Sequence, residues 1–140
     1  MSYQMILAPL FVQVLLTLVV AYMLAGNRFR AVKRDDVAGP VSLREPNWPV
    51  YARKFEYNYQ NQFELPVLFY LLTVLAIITR HADLFFVLMA WVFVTLRVIH
   101  AYIHVTNNQI RVRGAFFAAG VFVLTIMWVV FIVRIMLGLP

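Results

Sequence analysis

The sequence contains no cysteine. That excludes a disulfide framework, a thiolate nucleophile supplied by the chain and any Cys-based metal site. Charge is scarce as well: 13% of the 140 residues are Asp, Glu, Lys or Arg, about half the share of a soluble domain. The first long apolar run, from Tyr3 to Ala25, carries no charged residue at all. A small four-span multidrug exporter relies on an acidic residue in its first span, so that function class is disfavoured.

What is present is hydrocarbon. Hydrophobic residues make up 64% of the chain and the mean hydropathy is +0.82, which defines an integral membrane protein. One crossing takes roughly 20 apolar residues, so the chain accommodates four crossings as a single membrane domain over 1–140, without a separate soluble domain. The expected fold class is an all-α bundle with spans near 3–25, 55–79, 84–105 and 115–137. The N-terminal run lacks a basic leader and is too long for a cleavable signal, so it reads as the first span.

The loop expected between spans one and two, 26–54, is polar and strongly basic. It holds Arg28, Arg30, Lys33, Arg34, Arg44, Arg53 and Lys54 against Asp35, Asp36 and Glu45, and Gly39-Pro40 and Glu45-Pro46-Asn47-Trp48-Pro49 interrupt helix there. Trp48 and Tyr51 suit anchors at headgroup level. Arg111 and Arg113 follow span three, so only Arg80, Arg97 and Arg134 lie outside the two basic loops. By the positive-inside rule, loops 26–54 and 106–114 face the cytoplasm and both termini face away from it. A net charge of +6 placed this way is a topology signal with anionic-lipid contacts, and not a nucleic-acid surface.

Two polar stripes enter the apolar spans. Span two opens as Tyr57-Asn58-Tyr59-Gln60-Asn61-Gln62-Phe63-Glu64-Leu65-Pro66, whose spacing puts Tyr57, Asn61 and Glu64 on one helical face. Span three carries Arg97, His100 and His104 within an arc of roughly 60°. Both stripes lie near the cytoplasmic end of their spans, and polar groups at that depth are functional candidates by default. Arg97 and Glu64 form the natural ion pair, read either as a functional pair or as a register lock between spans. The His100/His104 spacing fits a two-His metal site, yet only Glu64 is on offer as a third ligand and Arg97 opposes a cation, so no metal is expected. In span one, Gln13 and Thr17 read as interhelical hydrogen-bonding groups. Gly114 and Gly120 permit close helix approach in span four, and Arg134 snorkels to the far interface.

The order of spans, the basic first loop, N-x-x-E-x-P opening span two, and R-x-x-H-x-x-x-H followed by R-x-R resemble the MAPEG superfamily, the membrane-associated proteins of eicosanoid and glutathione metabolism. The resemblance covers essentially the whole chain. It implies a homotrimer of four-helix bundles, with glutathione between protomers at the cytoplasmic side and a lipophilic small-molecule substrate arriving from the lipid. Asn61 and Glu64 would hold the tripeptide's backbone and amino group, and His100 and His104 its carboxylate end or sulfur. Arg97 and His100 are similar to the Arg-x-x-His pair of the prostaglandin synthase branch. His104 stands where the family places a glutathione-contacting Tyr, and Arg113 where it places the Arg that stabilises the thiolate. Basic residues that clamp the glutathione carboxylates elsewhere in the family are replaced here by Tyr57 and Gln60. Arg53 and Lys54, or Arg28 and Arg30, are the available substitutes. Two function classes follow: a glutathione-dependent transferase or peroxidase, and a non-catalytic membrane scaffold or lipid-binding protein with the same fold. The compact chain fits a divergent bacterial member in an inner membrane.

Overall fold

A computed structural model describes residues 1–39 and 47–140. Five helices build the chain: α1 (Tyr3–Lys33), α2 (Val50–Asn61), α3 (Leu65–Ile78), α4 (Leu84–Val105) and α5 (Ile110–Leu137). Together they give four crossings long and apolar enough to span a membrane, with α2 and α3 sharing the second. The protein is an all-α integral membrane protein.

The core lies where the inward faces of α1, α3, α4 and α5 meet. Phe69, Leu72 and Ala76 of α3 pack against Phe86, Val87, Ala90, Phe93 and Val94 of α4 and against Val123, Leu124 and Met127 of α5. The rings of Phe69 and Phe93 stand 4.9 Å apart. These positions recur every three or four residues, so each helix buries one stripe and turns its remaining Leu, Val, Ile and Phe outward, where hydrocarbon accepts them. The inward stripe of α4 then changes chemistry: after Val94 it continues as Arg97, His100, Ala101 and His104, all buried.

Several boundaries differ from the sequence reading. The first helix does not stop near Ala25 but runs on to Lys33, because Arg28 to Lys33 contains no breaker and its basic groups favour a helix C-terminus. Arg53 and Lys54 belong to α2 and not to a loop. The connection between α1 and α2 is therefore shorter than expected, with its described ends joined by the Ala38 amide donating to the Asn47 carbonyl at 3.3 Å. Arg44 and Glu45, with Pro40 and Pro46, lie outside the described residues.

The second crossing is not one continuous helix. It breaks between Asn61 and Leu65. Pro66 has no amide to donate to the Gln62 carbonyl and its ring crowds that carbonyl, so a continuous helix is blocked one turn upstream. The face shared by Asn61 and Glu64 in an unbroken helix therefore does not exist.

At the opposite end of the bundle, Arg80-His81-Ala82-Asp83 makes the tight turn between α3 and α4, with Arg80 in the left-handed region at φ 61°. Asp83 caps α4 by accepting from the Phe86 amide at 2.9 Å. Arg134 does not simply reach for the interface: its Nη1 meets Asp83 at 2.7 Å and ties the end of α5 to this turn. Gly120 faces α4, where an added Cβ would lie 3.9 Å from Arg97 Cδ, whereas among the described residues nothing lies within 4 Å of a Cβ added at Gly114.

Candidate functional site

Breaking a helix inside a membrane leaves carbonyls without amide partners, and each must be satisfied from elsewhere. Here side chains do it. The Asn61 carbonyl, which a continuous helix would bond to the Leu65 amide, accepts from Arg97 Nη2 at 2.9 Å. The Asn58 carbonyl accepts from Gln62 Nε2 at 3.3 Å. A guanidinium at the C-terminal end of α2 also complements the negative end of the helix dipole.

A buried amide ladder extends from this break across three crossings. Gln13 Nε2 of α1 donates to Gln62 Oε1 at 2.9 Å, and Gln62 Nε2 also reaches Asn58 Oδ1 at 3.2 Å. Asn58 Nδ2 donates to the Ala101 carbonyl of α4 at 3.3 Å. Gln13, Asn58 and Gln62 are almost wholly shielded from solvent. Gln13 thus makes the interhelical bond expected of it, while Thr17 turns back to the Gln13 carbonyl of its own helix. Asn58 and Gln62 carry most of the ladder, and only their i, i+4 spacing marks them in the sequence.

Beside the ladder lies the cation and imidazole cluster. Arg97 is fully buried (0% exposed), and His100 and His104 are each 2% exposed. The two imidazoles sit 6.0 Å apart edge to face, and Asn61 Nδ2 lies 3.5 Å from His104 Nδ1. Phe117 of α5 closes the cluster, with Arg97 Cζ 5.9 Å from its ring centre and His100 also 5.9 Å away. Among the described residues, Arg97 Nε, Arg97 Nη1 and His100 Nδ1 have no hydrogen-bond partner. Two unpartnered guanidinium N–H positions in a water-poor interior are costly, and they suit an anionic or polar guest.

The sequence-predicted residues divide into two groups. Asn61, Arg97, His100 and His104 converge. Glu64 does not pair with Arg97; it is exposed at the helix break, and among the described residues the ion pairs are Arg28–Glu56 and Arg134–Asp83. The break explains this, because it swings Glu64 off the α2 face and puts the Asn61 carbonyl in its place. Arg113 is partly exposed near the start of α5 and donates to Asn108 Oδ1 at 2.6 Å. Arg28 is held by Glu56 at 2.8 Å and lies 5.2 Å from the Trp48 ring centre, so its charge is neutralised locally. Arg53 is exposed and bonded to Asn47 Oδ1 at 2.6 Å. Lys54 Nζ caps the end of α4 through the Val105 carbonyl at 2.8 Å. Tyr57 and Gln60 both face outward. Among the described residues no three His, Cys, Asp or Glu side chains are grouped to hold a metal.

Fold and site together define a class: a four-crossing membrane protein whose polar interior gathers Arg and His behind a broken second span. The chain belongs to the MAPEG family, whose sequence model matches residues 6–133, nearly the whole length. This membership points to glutathione-related chemistry in the membrane. No curated protein and no solved structure matches the chain.

Proposed function

We propose that this protein is a membrane-bound, glutathione-dependent transferase or peroxidase acting on a lipophilic electrophile. The observation that carries this reading is the buried Arg97 guanidinium, with two N–H positions unpartnered, beside His100, His104 and the Asn61 side chain. Such a cluster fits the carboxylates and peptide groups of glutathione better than it fits a metal or a hydrocarbon guest.

In this reading Arg97 and His100 hold a carboxylate end, His104 and Asn61 orient the peptide, and Glu64 receives the amino group. Glu64 and Arg113 lie toward the surface of the protomer, where a neighbouring copy in a homotrimer completes the site. Arg53, also exposed, offers a further positive charge for the outer carboxylate, whereas Arg28 is occupied by Glu56. Glutathione supplies the nucleophilic thiol; Arg113 favours its ionised form through a nearby positive charge.

The test is consumption of glutathione with a lipid hydroperoxide and with an activated aryl halide in proteoliposomes. Wild-type turnover that is lost in Glu64→Gln and in Arg113→Ala, with assembly intact, is the expected result. Turnover surviving both substitutions overturns the reading. A second reading, a scaffold that keeps the fold without the chemistry, draws on the outward-facing Tyr57 and Gln60 in place of basic clamps. It predicts no turnover and no response to glutathione in the unmodified protein.

A further inference from the structure

Away from the Arg97 cluster, two cavities meet at the basic end of the bundle. One is an apolar groove of about 480 Å³ between α1, α2 and α4, walled by residues that include Leu16, Val20, Met23, Val98, Ala101 and Tyr102. The other is a cleft of about 400 Å³ lined by Asn27, Arg30, Arg34, Tyr51, Lys54 and Phe55. Phe55 lines both. Lys54 of the cleft is bonded to the carbonyl of Val105, a residue of the groove wall, at 2.8 Å. The two therefore share one ring and are tied by one hydrogen bond.

The first helix displays this change of chemistry along a single stripe. Leu16, Val20, Met23, Asn27 and Arg30 of α1, with Arg34 at its C-cap, are spaced by three or four residues, so they share one face, apolar over the first half and basic over the second. From Leu16 to Met23 and from Val98 to Thr106 the groove runs roughly 10–12 Å along the two helices. That is most of the roughly 15 Å of hydrocarbon in one leaflet. Its volume lies in the range of roughly 300–1,000 Å³ that binds small molecules. Among the described residues none of Arg30, Arg34 and Lys54 is ion-paired to a carboxylate; Asp36 accepts from the hydroxyl of Tyr51, a cleft residue, at 2.8 Å.

We infer that the groove and cleft form one binding site for an anionic phospholipid of the surrounding membrane. One acyl chain lies between α1 and α4, and the phosphate sits among Arg30, Arg34 and Lys54. The groove is walled almost wholly by hydrocarbon, so a chain entering it exchanges lipid contacts for protein contacts without stranding a polar group. The headgroup end supplies the selectivity, since a juxtamembrane basic residue contributes about 1 kcal/mol toward an anionic lipid. The site is separate from the Arg97 cluster and does not depend on the proposed thiol chemistry.

The test uses the full-length protein in nanodiscs with phosphatidylglycerol carrying a photoreactive diazirine midway along one chain. The same probe on phosphatidylcholine serves as the comparison. Labelling is expected on the 16–23 segment of α1 and the 98–105 segment of α4, several-fold stronger for phosphatidylglycerol. Arg30→Gln and Arg34→Gln each reduce that preference by about fivefold, and Val98→Trp, which fills the groove from its wall, removes labelling there for both probes. Equal labelling by the two headgroups in the unmodified protein overturns the inference. So does label scattered evenly over the outward faces of all four crossings, or cross-linking of groove residues to a second copy of the chain. The headgroup comparison is made on unmodified protein, so misfolding of a variant does not blunt it.

Discussion

Arg97 of α4 reaches the main-chain carbonyl of Asn61 at the end of α2, 2.9 Å away. The carbonyl is available only because Pro66 stops the second crossing from continuing as one helix. A local rule of backbone chemistry thereby sets where the buried guanidinium is anchored, and leaves its Nε and Nη1 without a partner among the described residues.

Pro66→Ala tests that dependence. With the block removed, the Leu65 amide regains the Asn61 carbonyl and Arg97 loses its anchor. Backbone hydrogen exchange across 62–66 is expected to slow, while glutathione-dependent turnover falls by up to about 10²-fold through misplacement of the site. Slowed exchange with unchanged turnover would show that the break has no part in the site.

Gln62→Leu removes the centre of the amide ladder, stranding Gln13 Nε2, Asn58 Oδ1 and the Asn58 carbonyl. Interhelical hydrogen bonds in membranes average about 0.6 kcal/mol and reach about 1.7, so a loss of roughly 1–2 kcal/mol is expected in reversible unfolding from mixed micelles. Gln13→Leu combined with Gln62→Leu should cost less than the two single changes added, because they share one bond.

The Asp83–Arg134 pair gives the far end of the bundle a pH dependence. Burial pushes the Asp83 carboxyl up, but the bond from the Phe86 amide and the Arg134 guanidinium outweigh it and hold the group below the usual carboxylate range. A lowered folded value means that the contribution is complete above the unfolded carboxylate value of about 3.9 and is lost as pH falls through the folded one. Wild type should therefore exceed Asp83→Asn in melting temperature at neutral pH, with the gap closing below about pH 4. Both side chains are partly exposed, so the gap corresponds to less than about 1 kcal/mol. A gap independent of pH would assign the effect to capping alone.

Much of the architecture was legible in the sequence, because hydropathy and span length are one-dimensional properties. The four crossings, the tight turn after α3 and the stripe of Arg97, His100 and His104 all follow from periodicity. The extent of α1 was not legible: a run of basic residues reads as a loop by composition and as a helix end by electrostatics, and the helix prevails through Lys33. The Arg97–Glu64 pair was the natural reading of opposite charges at similar depth. Arg97 takes the Asn61 carbonyl instead, because the block that Pro66 sets one turn upstream breaks the helix between Asn61 and Leu65. Asn58 and Gln62 could not be ranked above their polar neighbours without knowing which face of α2 turns inward. The neutralisation of Arg28 by Glu56 depends on α1 and α2 lying side by side, which composition does not encode.

The central claim, that the Arg97 cluster is a glutathione site, is tested most directly by titrating purified protein with glutathione. Thermal stability and thiolate absorbance are followed in the wild type, Arg97→Met and Arg113→Ala. A saturable stabilisation of about 2.7 kcal/mol at a hundredfold excess over Kd is predicted for the wild type and is absent in Arg97→Met. In Arg113→Ala, binding persists but the thiolate signal is lost. No stabilisation of the wild type at millimolar glutathione, or the same stabilisation in Arg97→Met, would contradict the account.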